Sequence, residues 1–280
     1  MQNLVFDSEF FNITDTLECG QVFRFTPYKK GYKVFSSDKC AYVYTENAQT
    51  VIRCNDGDSE YFTNYFDTLR DYSQIYNSAL SHGISVLVTS AKLGKGIRIL
   101  NQNPTEALFS FIVSQNNNIP RIKGIIEKLC ANLGDKKSFD GEEYFAFPTT
   151  KKMASVPLEF YQSIGLGYRA EYIKRLADDI ENKKILIDEL SKLDPENLAI
   201  ALISIHGVGP KVCDCVTLFG FHKSDSFPVD TWIEKVYRED FFGKQTDRAK
   251  ISKELKDKFG QNAGYFQQYL FYYKRTLIKK

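Results

Sequence analysis

A lysine and an aspartate, 19 positions apart, have the clearest chemical potential in this sequence. Lys211 follows the turn in ISIHGVGPKVCDCV, residues 203–216, and Asp230 lies in SFPVDTWIEKVY, residues 226–237. An unprotonated lysine amine is a nucleophile that forms Schiff bases with carbonyl carbons, and a nearby carboxylate can stabilise a developing cation or move protons. Each residue also has a plainer interpretation, Lys211 as a solvated side chain and Asp230 as a helix N-cap.

The turn before the lysine has the composition of an anion site. Gly207 and Gly209 allow positive φ and leave backbone N–H groups uncovered, while Pro210 suits the first position of the following helix. Such N–H groups at a helix N-terminus can hold a phosphate without any cationic side chain. A glycine-rich turn can also merely connect two helices, so the turn by itself leaves both interpretations open.

The composition limits the function classes. With 280 residues and 43% hydrophobic content, the chain can bury a sizeable core. The net charge is only +2, so any surface for a polyanion must be local. The six cysteines are scattered without a CxxC pair, which predicts free thiols and neither a zinc site nor an iron–sulfur cluster.

The sequence also favours a cellular location. No segment near Met1 has the pattern of a signal peptide, and no run approaches the roughly 20 apolar residues that cross a bilayer. We therefore expect an intracellular monomer without a membrane partner. The abundance of Lys, Ile, Asn and Tyr favours a bacterial cytoplasm over a nucleus.

Local patterns predict an α+β protein of two domains. The first hundred residues contain mostly short, aromatic-rich or alternating segments separated by turn residues, which predicts an antiparallel sheet over 1–100. The remaining residues, 101–280, have helical periodicity and would form an all-helical domain that contains the active-site cleft.

Helix starts are marked by capping residues. Asn103 can cap a helix that begins at Pro104 and ends before Gln115, with Glu106 completing a capping box. Asn118 is expected to cap the next helix, and Asp194 followed by Pro195 indicates another that leads into the turn.

Four segments together carry a family resemblance. HGVGPKVCDC with the PVD that follows it is joined by CGQVFRF at 19–25, SQNNNIPRIKGIIEKLC at 114–130 and AGYFQQYLF at 263–271. In this order they resemble the helix-hairpin-helix glycosylases of base-excision repair, and within them the eukaryotic-type 8-oxoguanine DNA glycosylases. The lysine in the hairpin is similar to that of the bifunctional members.

The resemblance implies an enzyme that acts on duplex DNA containing 8-oxoguanine opposite cytosine. The damaged nucleotide is flipped out, Lys211 attacks C1′ as the base departs, and Asp230 stabilises the oxocarbenium-like transition state. The Schiff base then permits β-elimination of the 3′ phosphate. The resemblance implies no required cofactor.

The resemblance also implies a pocket for the damaged base. The Gly20 carbonyl would accept from N7–H of 8-oxoguanine, Gln267 would contact the Watson–Crick edge, and Phe271 and Cys215 would sandwich the ring. Pro228 is expected in the same pocket. On their own, Phe271 would be an ordinary core residue and Cys215 a small buried hydrophobe.

A second set of residues is implied in contacts with DNA outside the pocket. Asn116 and Arg121 match residues that hold the orphaned cytosine, and Tyr168 and Arg169 match a wedge and its neighbour. The full expected set is Asn116, Arg121, Tyr168, Arg169, His206, Gly207, Val208, Gly209 and Trp232. The backbone carbonyls of Ile203, Ile205 and Val208 could hold a Na⁺, K⁺ or Ca²⁺ ion that bridges to a DNA phosphate.

Three residues depart from the family pattern. Trp232 and Lys274 stand where the family has a histidine paired with an aspartate, so the contacts near the 5′ phosphate of the lesion are in doubt. His206 replaces the usual proline before the hairpin.

Two alternatives remain open from the sequence. The same scaffold could act on oxidised pyrimidines or alkylated purines, although relatives for oxidised pyrimidines usually carry a C-terminal four-cysteine cluster that this chain lacks. The chain could also be a non-enzymatic helix-hairpin-helix DNA-binding module, for which Lys211 and Asp230 would be incidental.

Overall fold

The N-terminal part of the protein is a five-stranded antiparallel sheet. The computed structural model describes residues 1–278. The strands follow the order β1-β5-β4-β3-β2, with bounds Gln2–Asp7 for β1, Phe25–Tyr28 for β2, Gly31–Ser36 for β3, Lys39–Glu46 for β4 and Gln49–Cys54 for β5. The β4–β5 connection is a two-residue hairpin in which Asn47 and Ala48 both have positive φ, which matches the twist of the paired strands. The predicted antiparallel sheet is confirmed.

The sheet has its own small core. Helix α1, Ile13–Glu18, and helix α2, Ser59–Tyr65, cover one face of it. Val34 and Ile52 from the sheet are fully buried there, together with Phe62 of α2.

The prediction that the first hundred residues are mostly strands is wrong between residues 59 and 93. This segment forms α2 and two further helices, α3 at Tyr72–Ser81 and α4 at Ser85–Leu93. Helices α3 and α4 contribute to the helical core, where Leu87 is fully buried. The two hydrophobic cores are not divided at one point of the chain, because Leu100 belongs to the sheet core whereas Cys19 and Phe23 belong to the helical core.

Helices dominate the rest of the described chain. They are α5 Pro104–Ser114, α6 Ile119–Leu133, α7 Thr150–Ser155, α8 Leu158–Ser163, α9 Arg169–Glu181, α10 Ile187–Ser191, α11 Pro195–Ile203, α12 Pro210–Phe219, α13 Thr231–Glu239, α14 Arg248–Phe259 and α15 Ala263–Ile278. A two-stranded hairpin, β6 Lys136–Phe139 with β7 Glu142–Phe145, interrupts them and was not predicted.

The predicted helix caps are confirmed at three starts. The side chains of Asn103, Asn118 and Asp194 accept backbone N–H groups at the first turns of α5, α6 and α11. Each cap satisfies donors that the helix itself leaves free.

The capping box at Glu106 is wrong. The Glu106 carboxylate instead accepts from the Arg24 guanidinium at 3.2 Å and from the N–H of Ser37 at 2.6 Å, both in the sheet domain. Arg24 and Glu106 are both buried, so a buried ion pair joins the sheet to α5. Removing either partner would leave the other charge buried and unpaired, which strongly destabilises the fold.

Three further observations concern membrane spans, metal sites and cysteines. Within residues 1–278, no helix combines the length and apolar character that crossing a membrane requires. In the same range, no group of three or more His, Cys, Asp or Glu side chains is placed to hold a metal ion. The six cysteines are free thiols, all of them buried.

Candidate active site

Helix α12 begins at the hairpin with no side chain capping its N-terminus. Gly209 is the N-cap in an extended conformation, and Pro210 occupies the first turn. Gly207 has φ +87°, and a Cβ there would lie 2.5 Å from the Tyr172 ring, so only glycine fits. Lys211 projects from this turn, half-buried, with Nζ 5.6 Å from the centroid of the Phe111 ring.

Asp230 is both an N-cap and a neighbour of the lysine. Its Oδ1 accepts from the N–H groups of Trp232 and Ile233, each at 2.9 Å, at the start of α13. Burial raises the pKa of Asp230, and the N–H of Ile233 and the charge of Lys211 oppose that rise. The two interpretations of Asp230 that the sequence left open are therefore compatible, because capping occupies one oxygen only.

One small cavity collects the residues of the predicted pocket. Its volume is about 70 Å³. It is lined by Cys19, Gly20, Phe111, Lys211, Cys215, Phe219, Pro228, Asp230, Gln267, Gln268 and Phe271. Every residue predicted for catalysis or for binding the damaged base lies in this lining, although these residues come from segments more than 200 positions apart.

Gly20 lies against the last helix. It has φ +87°, and a Cβ there would lie 3.3 Å from both the Phe271 ring and the Arg275 guanidinium. Arg275 donates to the carbonyl of Glu18 at 2.9 Å, and Tyr272 donates to the Asp15 carboxylate at 2.6 Å. The segment from α1 to Gly20 is thus held directly against α15.

Gln267 is oriented by two hydrogen bonds inside the cavity. Its Nε2 donates to the Pro228 carbonyl at 3.0 Å, and its Oε1 accepts from Gln268 at 2.8 Å. Cys215 is buried beside this group, and burial raises the pKa of its thiol to about 11. The thiol is therefore neutral at ordinary pH and is not activated as a nucleophile.

Sequence reasoning missed four residues of the lining. They are Cys19, Phe111, Phe219 and Gln268. The rings of Phe111 and Phe219 stack at 5.5 Å and form an apolar floor below the lysine. Cys19 and Gln268 lie inside the motifs that carried the resemblance, so these motifs could have identified them as pocket residues. Phe111 and Phe219 have the pattern of ordinary core residues, and nothing in the sequence distinguishes them.

Several residues predicted to contact DNA form an exposed edge beside the hairpin. Asn116 is exposed with φ +44°, and Arg121 is exposed and donates to the Gly165 carbonyl at 3.2 Å. Tyr168 is 54% exposed, and the exposed His206 packs edge-on against Tyr172 at 5.0 Å.

Arg169 occupies a different environment. It is only 3% exposed, and its guanidinium donates to the carbonyls of Gln115, Asn116 and Leu166. In the free protein it therefore supports the Asn116 loop from below, and a direct contact with DNA stays a prediction.

The two departures from the family pattern do not pair with each other. Trp232 is half-buried, and the amine of Lys235 lies 5.1 Å from its ring centroid. Lys274 is buried and forms ion pairs with Glu239 at 2.8 Å and Asp240 at 2.7 Å.

The three carbonyls predicted to hold a cation at the hairpin differ in their hydrogen bonds. The Ile205 carbonyl accepts from the N–H of Val208 at 3.0 Å. Within the described residues, the carbonyls of Ile203 and Val208 accept no hydrogen bond.

The sheet domain, the helix-hairpin-helix and the lysine–aspartate cavity define a DNA glycosylase scaffold of the helix-hairpin-helix class. The family model for the 8-oxoguanine DNA glycosylase N-terminal domain matches residues 3–108, and the model for HhH-GPD superfamily base excision DNA repair proteins matches residues 109–261. The chain belongs to the HhH-GPD superfamily and carries the N-terminal domain of the 8-oxoguanine DNA glycosylases. The predicted resemblance and fold class are confirmed.

Individual relatives agree with this assignment. An N-glycosylase/DNA lyase of Saccharomyces cerevisiae is 39% identical over 54% of this chain, but the match spans only 44% of the yeast protein. A probable N-glycosylase/DNA lyase of Methanothermobacter thermautotrophicus is 29% identical over 75% of this chain and 72% of its own length.

Solved structures match nearly the whole chain. The Clostridium acetobutylicum 8-oxoguanine glycosylase/lyase, in complex with double-stranded DNA containing cytosine opposite 8-oxoguanine, superposes with a TM-score of 0.91. It is 35% identical to this protein, over 96% of this chain and 93% of its own. The Archaeoglobus fulgidus 3-methyladenine DNA glycosylase shares the fold with a TM-score of 0.79 at 18% identity.

Proposed function

We propose that the protein is a bifunctional DNA glycosylase and abasic-site lyase that removes 8-oxoguanine from duplex DNA. The observation that carries this proposal is the single cavity into which Lys211 and Asp230 both project, with Gly20, Gln267 and Phe271 around them. A DNA-binding module without catalytic activity would not require a half-buried carboxylate beside a half-buried lysine, since removing a charge from water is costly.

The proposed reaction uses the two residues in different ways. The Nζ of Lys211 forms a bond to C1′ while the bond from C1′ to the base breaks. The base leaves with the electron pair and takes up the proton that Nζ loses. The second oxygen of Asp230, Oδ2, faces the positive charge that develops on the sugar. The sugar ring then opens, with the ring oxygen taking a bond pair and a proton, and the Nζ–C1′ bond becomes the Schiff base. Loss of a proton from C2′ to water expels the 3′ phosphate with the electron pair of the C3′–O bond, which cuts the strand.

Discrimination against guanine rests on the backbone at Gly20. The N7 of 8-oxoguanine carries a hydrogen that a carbonyl can accept, whereas guanine presents a lone pair there. A mispaired buried carbonyl costs roughly 1–3 kcal/mol. The conformation of Gly20, with φ +87° and no room toward Phe271, supports close approach of the backbone to the base.

The open N-terminus of α12 would hold a DNA phosphate. It has backbone N–H groups without a side-chain cap, and such groups attract anions. We also propose that the carbonyls of Ile203, Ile205 and Val208 bind a monovalent or calcium ion next to that phosphate. The proposed partner is duplex DNA with cytosine opposite the lesion, and the bacterial cytoplasm stays a prediction from composition.

Borohydride trapping tests the proposed function. Purified protein would be reduced on duplexes that contain 8-oxoguanine, guanine or an abasic site, with Lys211→Gln alongside. We expect a covalent adduct on the lesion and abasic duplexes only, and its loss in the variant, because reduction captures the Schiff base. Lys192→Gln, at an exposed lysine of α10's C-terminal end, is the control and should trap normally.

Two results would contradict parts of the proposal. An adduct on the abasic duplex alone would support the lyase activity but would show that 8-oxoguanine is not the base that the protein removes. The absence of adduct on every duplex would indicate a DNA-binding module without the enzymatic activity.

A further inference from the structure

Lys274 is a buried cation on the helix that forms one wall of the cavity. It is 7% exposed and lies on α15, seven residues after Gln267 and three after Phe271. Residues with these spacings share one face of an α-helix. The face of α15 that forms the pocket therefore continues to Lys274.

The amine of Lys274 reaches the far end of the helix that Asp230 caps. Its two partners, Glu239 and Asp240, are the last residue and the C-cap of α13. A cation at a helix C-terminus also interacts favourably with the helix dipole. Lys274 keeps the pKa of Glu239 below its ordinary value, consistent with a charged contact.

Helix α15 therefore holds the Asp230 segment at two places. The first is at the pocket, where Gln267 donates to the Pro228 carbonyl at 3.0 Å, two residues before Asp230. The second is the Lys274 ion pair at the opposite end of α13. If Gln267 contacts the damaged base, as the proposed function requires, that contact competes with its bond to Pro228 for the orientation of the amide. The Lys274 ion pair is a second polar contact between α15 and the Asp230 segment, and the base does not compete for it.

We infer that Lys274 is a positioning residue for catalysis, which fixes α13 on α15 so that Asp230 keeps its place beside Lys211 while Gln267 binds the base. This inference rests on the proposed function and goes beyond it. Lys274 does not line the cavity, and on this inference it acts through Asp230. A helix that could shift along its partner would displace the carboxylate, and misplacement by about 1 Å can cost about 100-fold in rate.

The experiment compares Lys274→Met with Lys274→Arg. Methionine keeps most of the apolar stem and removes the cation, whereas arginine keeps the cation. In single-turnover assays on the 8-oxoguanine duplex, we expect Lys274→Met to slow base release about 10- to 100-fold and Lys274→Arg to stay within about threefold of the parent protein. Affinity for a duplex that contains a non-cleavable abasic analogue should change less than about threefold, because the exposed DNA-binding edge is untouched.

A double-mutant cycle separates positioning from a general loss of stability. On an Asp230→Asn background, Lys274→Met should have little further effect, because the group that it positions has lost its charge. An equal loss on both backgrounds, or a normal rate in Lys274→Met, would overturn the inference. If Lys274→Met does not fold, Glu239→Gln combined with Asp240→Asn removes the partners instead, and the same comparison decides.

The two proposals fail in different ways. If the parent protein releases no 8-oxoguanine from any duplex, the proposed function is wrong whatever Lys274 does. If the parent protein is active and the cycle is additive, only the role of Lys274 is wrong.

Discussion

The N-termini of α12 and α13 both lie at the candidate site, and they differ in how their free N–H groups are satisfied. Helix α12 begins at Gly209 with no side-chain cap, so its first N–H groups remain available to a group from outside the protein. Helix α13 begins at Asp230, whose Oδ1 already accepts two of the corresponding N–H groups. The first terminus is suited to an external anion, and the second holds an internal one.

The difference shows how two similar local structures acquire different roles. At α12 the first turn carries Lys211, the proposed nucleophile, and the uncapped backbone is the proposed phosphate site. At α13 the backbone fixes the Asp230 carboxylate, which faces the sugar in the proposed reaction. On this proposal, N-terminal N–H groups bind a ligand in one helix and orient a charged side chain in the other.

The largest effect is expected when the charge at the capped terminus is removed. Asp230→Asn keeps an oxygen that can cap α13, so stability should change by less than about 1 kcal/mol. Base release should fall about 100- to 1,000-fold, because the charge opposite the developing cation is lost. Single-turnover kinetics on the 8-oxoguanine duplex and thermal unfolding measure the two effects.

A matched change at another helix provides the control. Asp194 caps α11 through the same kind of bonds, to Glu196 and Asn197, outside the cavity. Asp194→Asn should leave the rate unchanged. A comparable loss of rate in both variants would show that capping, and not the charge at Asp230, supports the reaction.

An intermediate effect is expected at the open terminus. Gly207→Ala introduces a Cβ that would lie 2.5 Å from the Tyr172 ring at φ +87°, so the hairpin must distort. We expect about a tenfold loss of affinity for duplex DNA with or without the lesion, since phosphate contacts carry no sequence information. Titration of both duplexes measures it.

Gly209→Ala is the comparison for this turn. Gly209 has φ −94°, and nothing lies within 4 Å of an added Cβ. This variant should bind within about threefold of the parent protein if the backbone alone makes the contact. A loss of lesion preference in Gly207→Ala, at unchanged overall affinity, would contradict a phosphate role for the hairpin.

The smallest effect is expected in the pH dependence of stability. Burial raises the pKa of Asp230 above its ordinary value, so the folded protein binds that proton more tightly than the unfolded chain. Its contribution to stability is therefore present below the unfolded-state pKa and is lost as the pH rises through the folded-state pKa. The Tm of the parent protein and of Asp230→Asn would be measured from about pH 3 to about pH 7. As the pH rises over this range, the Tm of the parent protein should fall relative to that of Asp230→Asn. A difference that does not vary with pH would indicate that Asp230 is solvated.

Features set by neighbours in the chain were predictable from the sequence. Asn103, Asn118 and Asp194 cap helices through bonds that span three residues or fewer, so a short window contains the cause and the effect. The positions of Lys211 and Asp230 at helix starts were also predictable. The residue types allowed a nucleophile and a stabilising carboxylate, and the family resemblance favoured this interpretation over the plainer ones.

The hydrogen-bond partners of several charged side chains were not predictable, because those partners are distant in the chain. Glu106 has the spacing of a capping box, but Arg24, 82 positions away, takes its carboxylate. Arg169 is predicted to contact DNA, but in the free protein its buried guanidinium donates to carbonyls of the Asn116 loop. The partners of Lys274 are likewise on another helix. In each case, contacts with distant parts of the chain determine the position and the partners of a charged side chain, and they outweigh the local pattern.

The attachment of α1 to α15 has a consequence for synthesis of the protein. The bond from Tyr272 to Asp15 and that from Arg275 to Glu18 join segments that are 257 positions apart. A chain that leaves the ribosome from its N-terminus has its Gly20 segment long before Gln267 and Phe271 exist. The nascent protein can fold its sheet early, but the cavity is complete only when α15 has been translated and has docked.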